Sequence, residues 1–223
     1  MDFLKILRSF EEFLFEAASW LVFYPLTMWR IVRDPIAAMT YSDREQADDE
    51  AHRYDDALSP PLVLLATIVL VNAVGMAVHV SPEPMSQSQL LHTITSTPQN
   101  LTLFRSLVFS LIPLIAAVSL LHRQGRKISR ESLRAPFYAQ CYLAAPCAVF
   151  VSGGGMVFQR PDVSNAWGLA MMLGGALWFV WVQTKWFRAK LATSWVKAGL
   201  IAVWAAIRAL AFLLAILIPV ALI

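Results

Sequence analysis

The chain carries little charge for its length. Of its 223 residues, 15% are charged and 58% are hydrophobic, and the mean hydropathy is +0.58. Because roughly a quarter of the residues in soluble domains are charged, this scarcity excludes an ordinary soluble domain. The composition predicts one polytopic membrane domain.

Cysteine is also scarce, with two residues in the chain. Cys141 and Cys147 lie in one apolar run, six residues apart, which corresponds to about 240° around a helix. Because they point to different helix faces, we expect two small apolar fillers and neither a disulfide nor a metal pair.

The sequence lacks common catalytic motifs. It has no His-Glu-x-x-His zinc motif, no Gly-x-Ser-x-Gly elbow and no Gly-x-x-x-x-Gly-Lys phosphate loop, so we expect no enzymatic activity and no cofactor. The apolar runs contain no carboxylate, which disfavours proton-coupled transport. The dense carboxylates lie in one segment, which we interpret as a solvated charge run and not as a metal site. A divalent-cation site is the alternative there, and it would use Asp48, Asp49, His52, Asp55 and Asp56.

The cations that are present follow the apolar runs. Of the 18 Lys and Arg residues, fifteen lie before the first run or in residues 122–134 and 185–197. Short Lys/Arg-rich segments stay cytoplasmic, so the pattern predicts a cytoplasmic N-terminus and a C-terminus outside. The net charge of +3 does not indicate nucleic acid, because the cations flank apolar spans instead of forming one basic face. Anionic lipid headgroups are the expected partner.

Five apolar runs are long enough to cross a bilayer core about 30 Å thick. The sequence therefore predicts an all-α, polytopic membrane protein with five transmembrane helices. The predicted spans are residues 61–80, 101–121, 135–158, 166–184 and 198–223.

An amphipathic helix is predicted before the spans. Apolar residues recur at helical spacing over 3–21, and the pattern continues to Arg30, so we place residues 1–35 at the cytoplasmic interface. A sixth span over 13–32 is the alternative. Residues 36–60 are predicted to be an acidic cytoplasmic loop, and residues 61–223 the five-helix transmembrane domain.

Polar residues within the spans are the candidate binding groups. Arg208 lies eleven residues into the fifth span, and an ionisable group at such depth suggests a function; the alternative is that 191–207 lie in the interface and Arg208 snorkels to headgroups. Arg105 is nearer its span's outer end, where snorkelling is favoured. If both arginines face the interior, they could bind a phosphate or carboxylate. Further ligand or lipid-binding candidates are Asn72, His79 and Gln140, for which helix-to-helix hydrogen bonding is the alternative.

Small residues indicate close helix packing. Gly153, Gly154 and Gly155 form a triplet in the third span, and Ala166, Ala170 and Gly174 recur every four residues in the fourth. The triplet could instead unwind its helix and expose carbonyl groups to a ligand.

Two short motifs carry a family resemblance. The segment Trp29-Arg30-x-x-Arg33-Asp34-Pro35, the acidic segment, and Leu58-Ser59-Pro60-Pro61-Leu62 resemble bacterial Yip1-like, permease-like membrane proteins. The resemblance implies a bacterial inner-membrane protein, with membrane trafficking or organisation in eukaryotic members and no catalytic residues.

Two functions follow from these patterns. The first is transport or handling of an anionic lipid or small molecule, with the arginines lining a polar cavity. The alternative is a scaffold or accessory subunit of a larger membrane complex, whose small-residue faces bind other subunits or a second copy of the chain.

Overall fold

A computed structural model of the chain describes residues 3–48, 53–78 and 98–222. The described residues are helical, with turns between the helices and no strand. The helices are α1 (Phe3–Arg33), α2 (Pro35–Glu45), α3 (Pro60–Ala77), α4 (Pro98–Arg123), α5 (Arg130–Phe158), α6 (Asn165–Leu191) and α7 (Trp195–Leu222).

Five of these helices, α3 to α7, are long and apolar enough to cross a membrane. They coincide with the five predicted spans to within a few residues in most places, although α5 begins earlier, at Arg130, and α6 ends later, at Leu191. Between 17% and 50% of each apolar window is buried inside the protein, so much of the apolar surface faces outward, as lipid contact requires. The chain is therefore an all-helical, multi-pass membrane protein.

The central helix of the bundle is α5. It contacts α1, α2, α3, α4 and α6, and its residues from Ala139 to Ala148 are all buried. A capping box between Ser129 and Ser132 begins the helix. Cys141 and Cys147 are buried free thiols on this helix.

The α5–α6 contact depends on glycines. A Cβ atom on Gly168 would lie 2.5 Å from the backbone nitrogen of Phe158, and one on Gly154 would lie 2.7 Å from the carbonyl oxygen of Gly168. A Cβ atom on Gly175 would lie 2.4 Å from Cβ of Phe150. The two backbones can approach this closely only because these positions lack side chains.

The predicted packing stripe on α6 takes no part in this α5–α6 contact. Ala166, Ala170 and Gly174 are exposed, and a Cβ atom on Gly174 would meet nothing within 4 Å, so close packing of this stripe against a helix of another chain stays a prediction. Within the triplet, Gly154 makes the close approach, while Gly155 faces open space. The alternative that the triplet unwinds the helix is wrong, because α5 continues through it to Phe158.

The predicted acidic loop over 36–60 begins with a helix instead. Pro35 occupies the first turn of α2, and the Asp34 side chain accepts a hydrogen bond from the Ala37 N–H at 3.0 Å. Met39 is buried, and Lys190 of α6 forms an ion pair with Asp43 at 2.7 Å. The acidic composition predicted a solvated loop, but α2 is a helix with one buried face.

The last third of α1 packs along α3. Tyr24 and Thr67 share a hydrogen bond between their hydroxyl groups at 3.0 Å, and the Leu58 N–H donates to the Thr27 hydroxyl at 3.2 Å. Residues later in α1 thus meet residues earlier in the α3 region, so the two segments run in opposite directions. Although α1 has 31 residues, it is not among the helices apolar enough to span a membrane, and its interfacial location stays a prediction.

Candidate functional site

Arg208 lines a cavity between α4 and α7. The half-buried Arg208 side chain belongs to α7, about 20 Å along that helix from Trp195 at 1.5 Å per residue. The cavity has a volume of about 240 Å³. Its lining residues are Ser119, His122 and Arg123 of α4 and Ile201, Trp204 and Arg208 of α7.

Helical periodicity explains why these residues meet. Ile201, Trp204 and Arg208 are spaced by three and four residues, so they share one face of α7. In α4, His122 and Arg123 lie three and four residues after Ser119, so these side chains also share one face, at the end of that helix. A second face of α7 is small and buried, and it packs into the bundle through Ala198, Ala202, Ala205 and Ala209.

The cavity is strongly basic. Its lining includes two guanidinium groups and one imidazole, and it contains no carboxylate. Neither Arg123 nor Arg208 forms an ion pair with a residue in 3–48, 53–78 or 98–222. The hydroxyl group of Ser119 donates to the Ile115 carbonyl at 2.6 Å, so it leaves the arginines as the main donors. Two like charges on one cavity repel each other unless an anion or water lies between them.

The location of the cavity bears on both interpretations of Arg208, a functional group inside the bundle and a side chain that snorkels to headgroups. His122 and Arg123 end α4, just before the connection to α5, so the Arg208 cavity lies towards the end of the bundle predicted to be cytoplasmic. A long side chain whose charged end extends towards headgroups while its stem stays among apolar residues is typical of snorkelling. Snorkelling towards this end and lining a cavity are therefore compatible for Arg208.

The remaining candidates lie elsewhere. The Gln140 amide donates to Gln183 at 3.0 Å and accepts from it at 2.7 Å, and both side chains are buried between α5 and α6. Asn72 donates to the Thr102 hydroxyl at 2.9 Å, which joins α3 to α4. For both residues the structure has the helix-to-helix hydrogen bond, and neither lines the Arg208 cavity.

Two candidates cannot be placed in this way. Arg105 lies in α4, but its side chain is outside the described part of the chain, and His79 falls outside the described residues altogether. In the sequence, Arg123 served only to predict topology, and His122 was not a candidate. Both residues lie where an apolar run meets the densest basic cluster, and this position could have marked them as candidate binding residues.

A separate polar cluster holds the connection between α2 and α3. Asp56 accepts hydrogen bonds from the Tyr41 hydroxyl at 2.6 Å and from the Arg30 guanidinium at 3.0 Å. The hydrogen bond from Tyr41, and to a smaller extent that from Arg30, lowers the pKa of Asp56. Burial raises the pKa of Tyr41, so its hydroxyl group keeps its proton and remains a donor. Of the alternative cation ligands, Asp56 is thus already paired, and Asp49 and His52 lie outside the described residues.

Comparisons with models of protein families, with curated proteins and with solved structures find no significant match for this chain. The Yip1-like resemblance therefore stays a prediction.

Proposed function

We propose that this chain is a non-enzymatic membrane protein that handles an anionic phospholipid by binding its headgroup between α4 and α7. One observation carries the proposal: Arg208 of an apolar helix and Arg123 of its neighbour line one cavity that has no carboxylate in its lining. An anionic phosphate would offset the repulsion between the two guanidinium groups.

The chemistry of the lining suits a phosphodiester. A guanidinium group presents a planar fork of N–H donors that matches phosphate oxygens, and the exposed Trp204 is a residue type favoured at the headgroup level. Exposed apolar side chains of α7, including Val203, Ile207 and Leu210, lie beyond the cavity and could contact acyl chains.

A permeation pathway has less support. The features that suggested one were the deep arginine Arg208 and a glycine triplet that could unwind its helix, and the polar residues of the spans were further candidate binding groups. The triplet is helical, and the Gln140 and Asn72 side chains are hydrogen-bonded to neighbouring helices. Binding of a lipid at the end of the bundle therefore explains Arg208 better than passage of a solute through it.

The second candidate function is a scaffold or accessory subunit. It is favoured by the outward face of α6, on which Ala166, Ala170 and Gly174 are exposed and a Cβ atom on Gly174 would meet nothing within 4 Å. Small residues on an outward face allow another transmembrane helix to approach closely.

Native mass spectrometry of the protein in mild detergent tests the proposal. After reconstitution in phosphatidylcholine with phosphatidylglycerol, the wild-type protein should retain phosphatidylglycerol selectively. The Arg123→Ala/Arg208→Ala variant should retain at least about tenfold less, because the loss of even one charge-assisted hydrogen bond of about 1.5 kcal/mol lowers the affinity about tenfold.

The matched control removes the same charge outside the cavity. The Lys127→Ala/Arg130→Ala variant changes two exposed cations that do not line the cavity, one between α4 and α5 and one at the first residue of α5, and it should retain lipid like the wild type. Equal lipid retention by the cavity variant and the wild type would contradict the proposal, and a lipid-free complex with another membrane protein would favour the scaffold.

A further inference from the structure

A second cavity lies in the elbow between α1 and α2. Its volume is about 310 Å³. One face of α2 forms a wall, because Ala37, Ala38, Tyr41 and Arg44 recur at helical spacing and all line the cavity. The end of α1 contributes Arg30, Ile31 and Arg33 to the opposite side. No residue is shared with the Arg208 cavity.

The cations of this cavity differ in their pairing. Arg30 is held by Asp56, at 3.0 Å. Arg33 and Arg44 are exposed, and neither forms an ion pair within the part of the chain that the structure describes. The one carboxylate in the lining, Asp34, caps the N-terminus of α2 through its bond from Ala37. Two guanidinium groups thus remain available to a ligand.

The most buried lining residues are mostly apolar, and the Thr27 hydroxyl among them already accepts a hydrogen bond from the Leu58 N–H. Ile31 is 1% exposed and Ala57 is 6% exposed, and the Tyr142 hydroxyl is already committed to the carbonyl oxygen of Leu58 at 2.7 Å. A group that entered this part would replace water on apolar surface, which is favourable. The cavity therefore combines an anion-binding rim with an apolar interior, the usual composition of a small-molecule site.

We propose that this cavity binds a single-chain amphiphile that carries one carboxylate or phosphate group. Arg33 and Arg44 hold the anionic group, and the apolar part lies against Ile31 and Ala57. The size agrees with this class of ligand: at about 30 Å³ for a water-sized group, the cavity holds roughly ten such groups. It is too small to enclose both acyl chains of a phospholipid.

Photo-cross-linking tests this site. The probe is a ten-carbon fatty acid with a diazirine at its chain end, added to the full chain in an uncharged detergent, and the labelled residues are mapped by mass spectrometry. Labels should map to residues 27–57 or to the neighbourhood of Tyr142. In the Arg33→Ala/Arg44→Ala variant, the half-saturating probe concentration should rise about tenfold.

Two control variants separate this proposal from the phospholipid site. The Arg123→Ala/Arg208→Ala and Lys127→Ala/Arg130→Ala variants should be labelled like the wild type, whatever their phosphatidylglycerol retention. If the double arginine variant of the elbow fails to fold, Arg44→Ala alone serves as the test, because its side chain has no described partner. Unchanged half-saturation in the folded variant, or labels that map elsewhere, would overturn the proposal.

Competition distinguishes the sources of the anionic group. Displacement by decanoate indicates a carboxylate ligand, and stronger displacement by a short single-chain phosphate ester, decyl phosphate, indicates a phosphate ligand; both support the proposal. Inorganic phosphate should not displace the probe, because it has no apolar part. Displacement by inorganic phosphate at the same concentration as decanoate would overturn the requirement for an amphiphile.

Discussion

Among single residues, the Gln140–Gln183 pair shows best how a polar group is tolerated in the bundle. Each amide donates to the other and accepts from it, at 3.0 and 2.7 Å, and each side chain is almost fully buried. A buried amide without a partner would keep the full cost of its lost hydration. The pair therefore joins α5 to α6 only while both members are present.

We expect Gln140→Leu to destabilise the protein by about 1 kcal/mol, because the Gln183 amide then remains buried without its partner. The Gln140→Leu/Gln183→Leu variant should recover most of this loss, since neither position then buries a polar group. Thermal unfolding in detergent measures both effects. A double variant that loses as much as the two single variants together would contradict the pairing argument.

The same pair marks a limit of sequence reasoning at this scale. Gln140 and Arg208 could be singled out because each is polar within an apolar run. The sequence could not show that Gln183 bonds to Gln140 or that Arg123 lines the cavity of Arg208. Gln183 and Arg123 lie near predicted span ends, and only the packing of separate helices brings each of them to its neighbour.

At the scale of helices, glycine positions decide the α5–α6 contact. The sequence indicated one stripe of small residues on α6, Ala166, Ala170 and Gly174, and this stripe faces outward. The contact uses Gly168 and Gly175, which are seven residues apart and so also share a face. The spacing alone could not decide between the two, because both are compatible with a helix.

Gly168→Ala and Gly174→Ala form a matched pair on one helix. The first should destabilise by about 1–3 kcal/mol, because the new Cβ atom would overlap the α5 backbone. The second should be neutral or stabilising by up to about 1 kcal/mol, because alanine favours helix and the position is open. Thermal unfolding in detergent compares them, and an equal effect at both positions would refute the assigned contact face.

The helix α2 is a second element that the sequence pattern did not predict. The acidic residues around it predicted a loop, but Asp34 and Pro35 supply a start signal for a helix, and Met39 supplies a buried contact. Tertiary contacts, including the Lys190–Asp43 ion pair, show why this face of the segment is packed and not solvated.

At the scale of the whole molecule, charge predicts orientation. The described helices α3 to α7 have the lengths required to cross a membrane, and the basic segments recur at alternate connections. Since short basic segments resist translocation, the loop that begins after α4 should be cytoplasmic and the segment around residue 90 should lie outside.

Single-cysteine labelling checks this orientation in a Cys141→Ala/Cys147→Ala background. An impermeant maleimide should label Leu90→Cys from outside in intact cells and should label Lys127→Cys only after the membrane is opened. The reverse pattern would overturn the predicted topology without affecting the helical fold.

The apolar runs alone were enough to predict an all-helical, multi-pass membrane protein, because a run of about 20 apolar residues can satisfy its backbone in lipid only as a helix. The buried face of each helix, the glycines at the α5–α6 contact and the cavity that Arg208 shares with Arg123 follow from the packing of the helices. These features depend on contacts between residues distant along the chain. In a bundle with apolar residues on both its inner and outer faces, hydrophobicity does not distinguish the two, so small residues and hydrogen-bonding groups determine the packing instead.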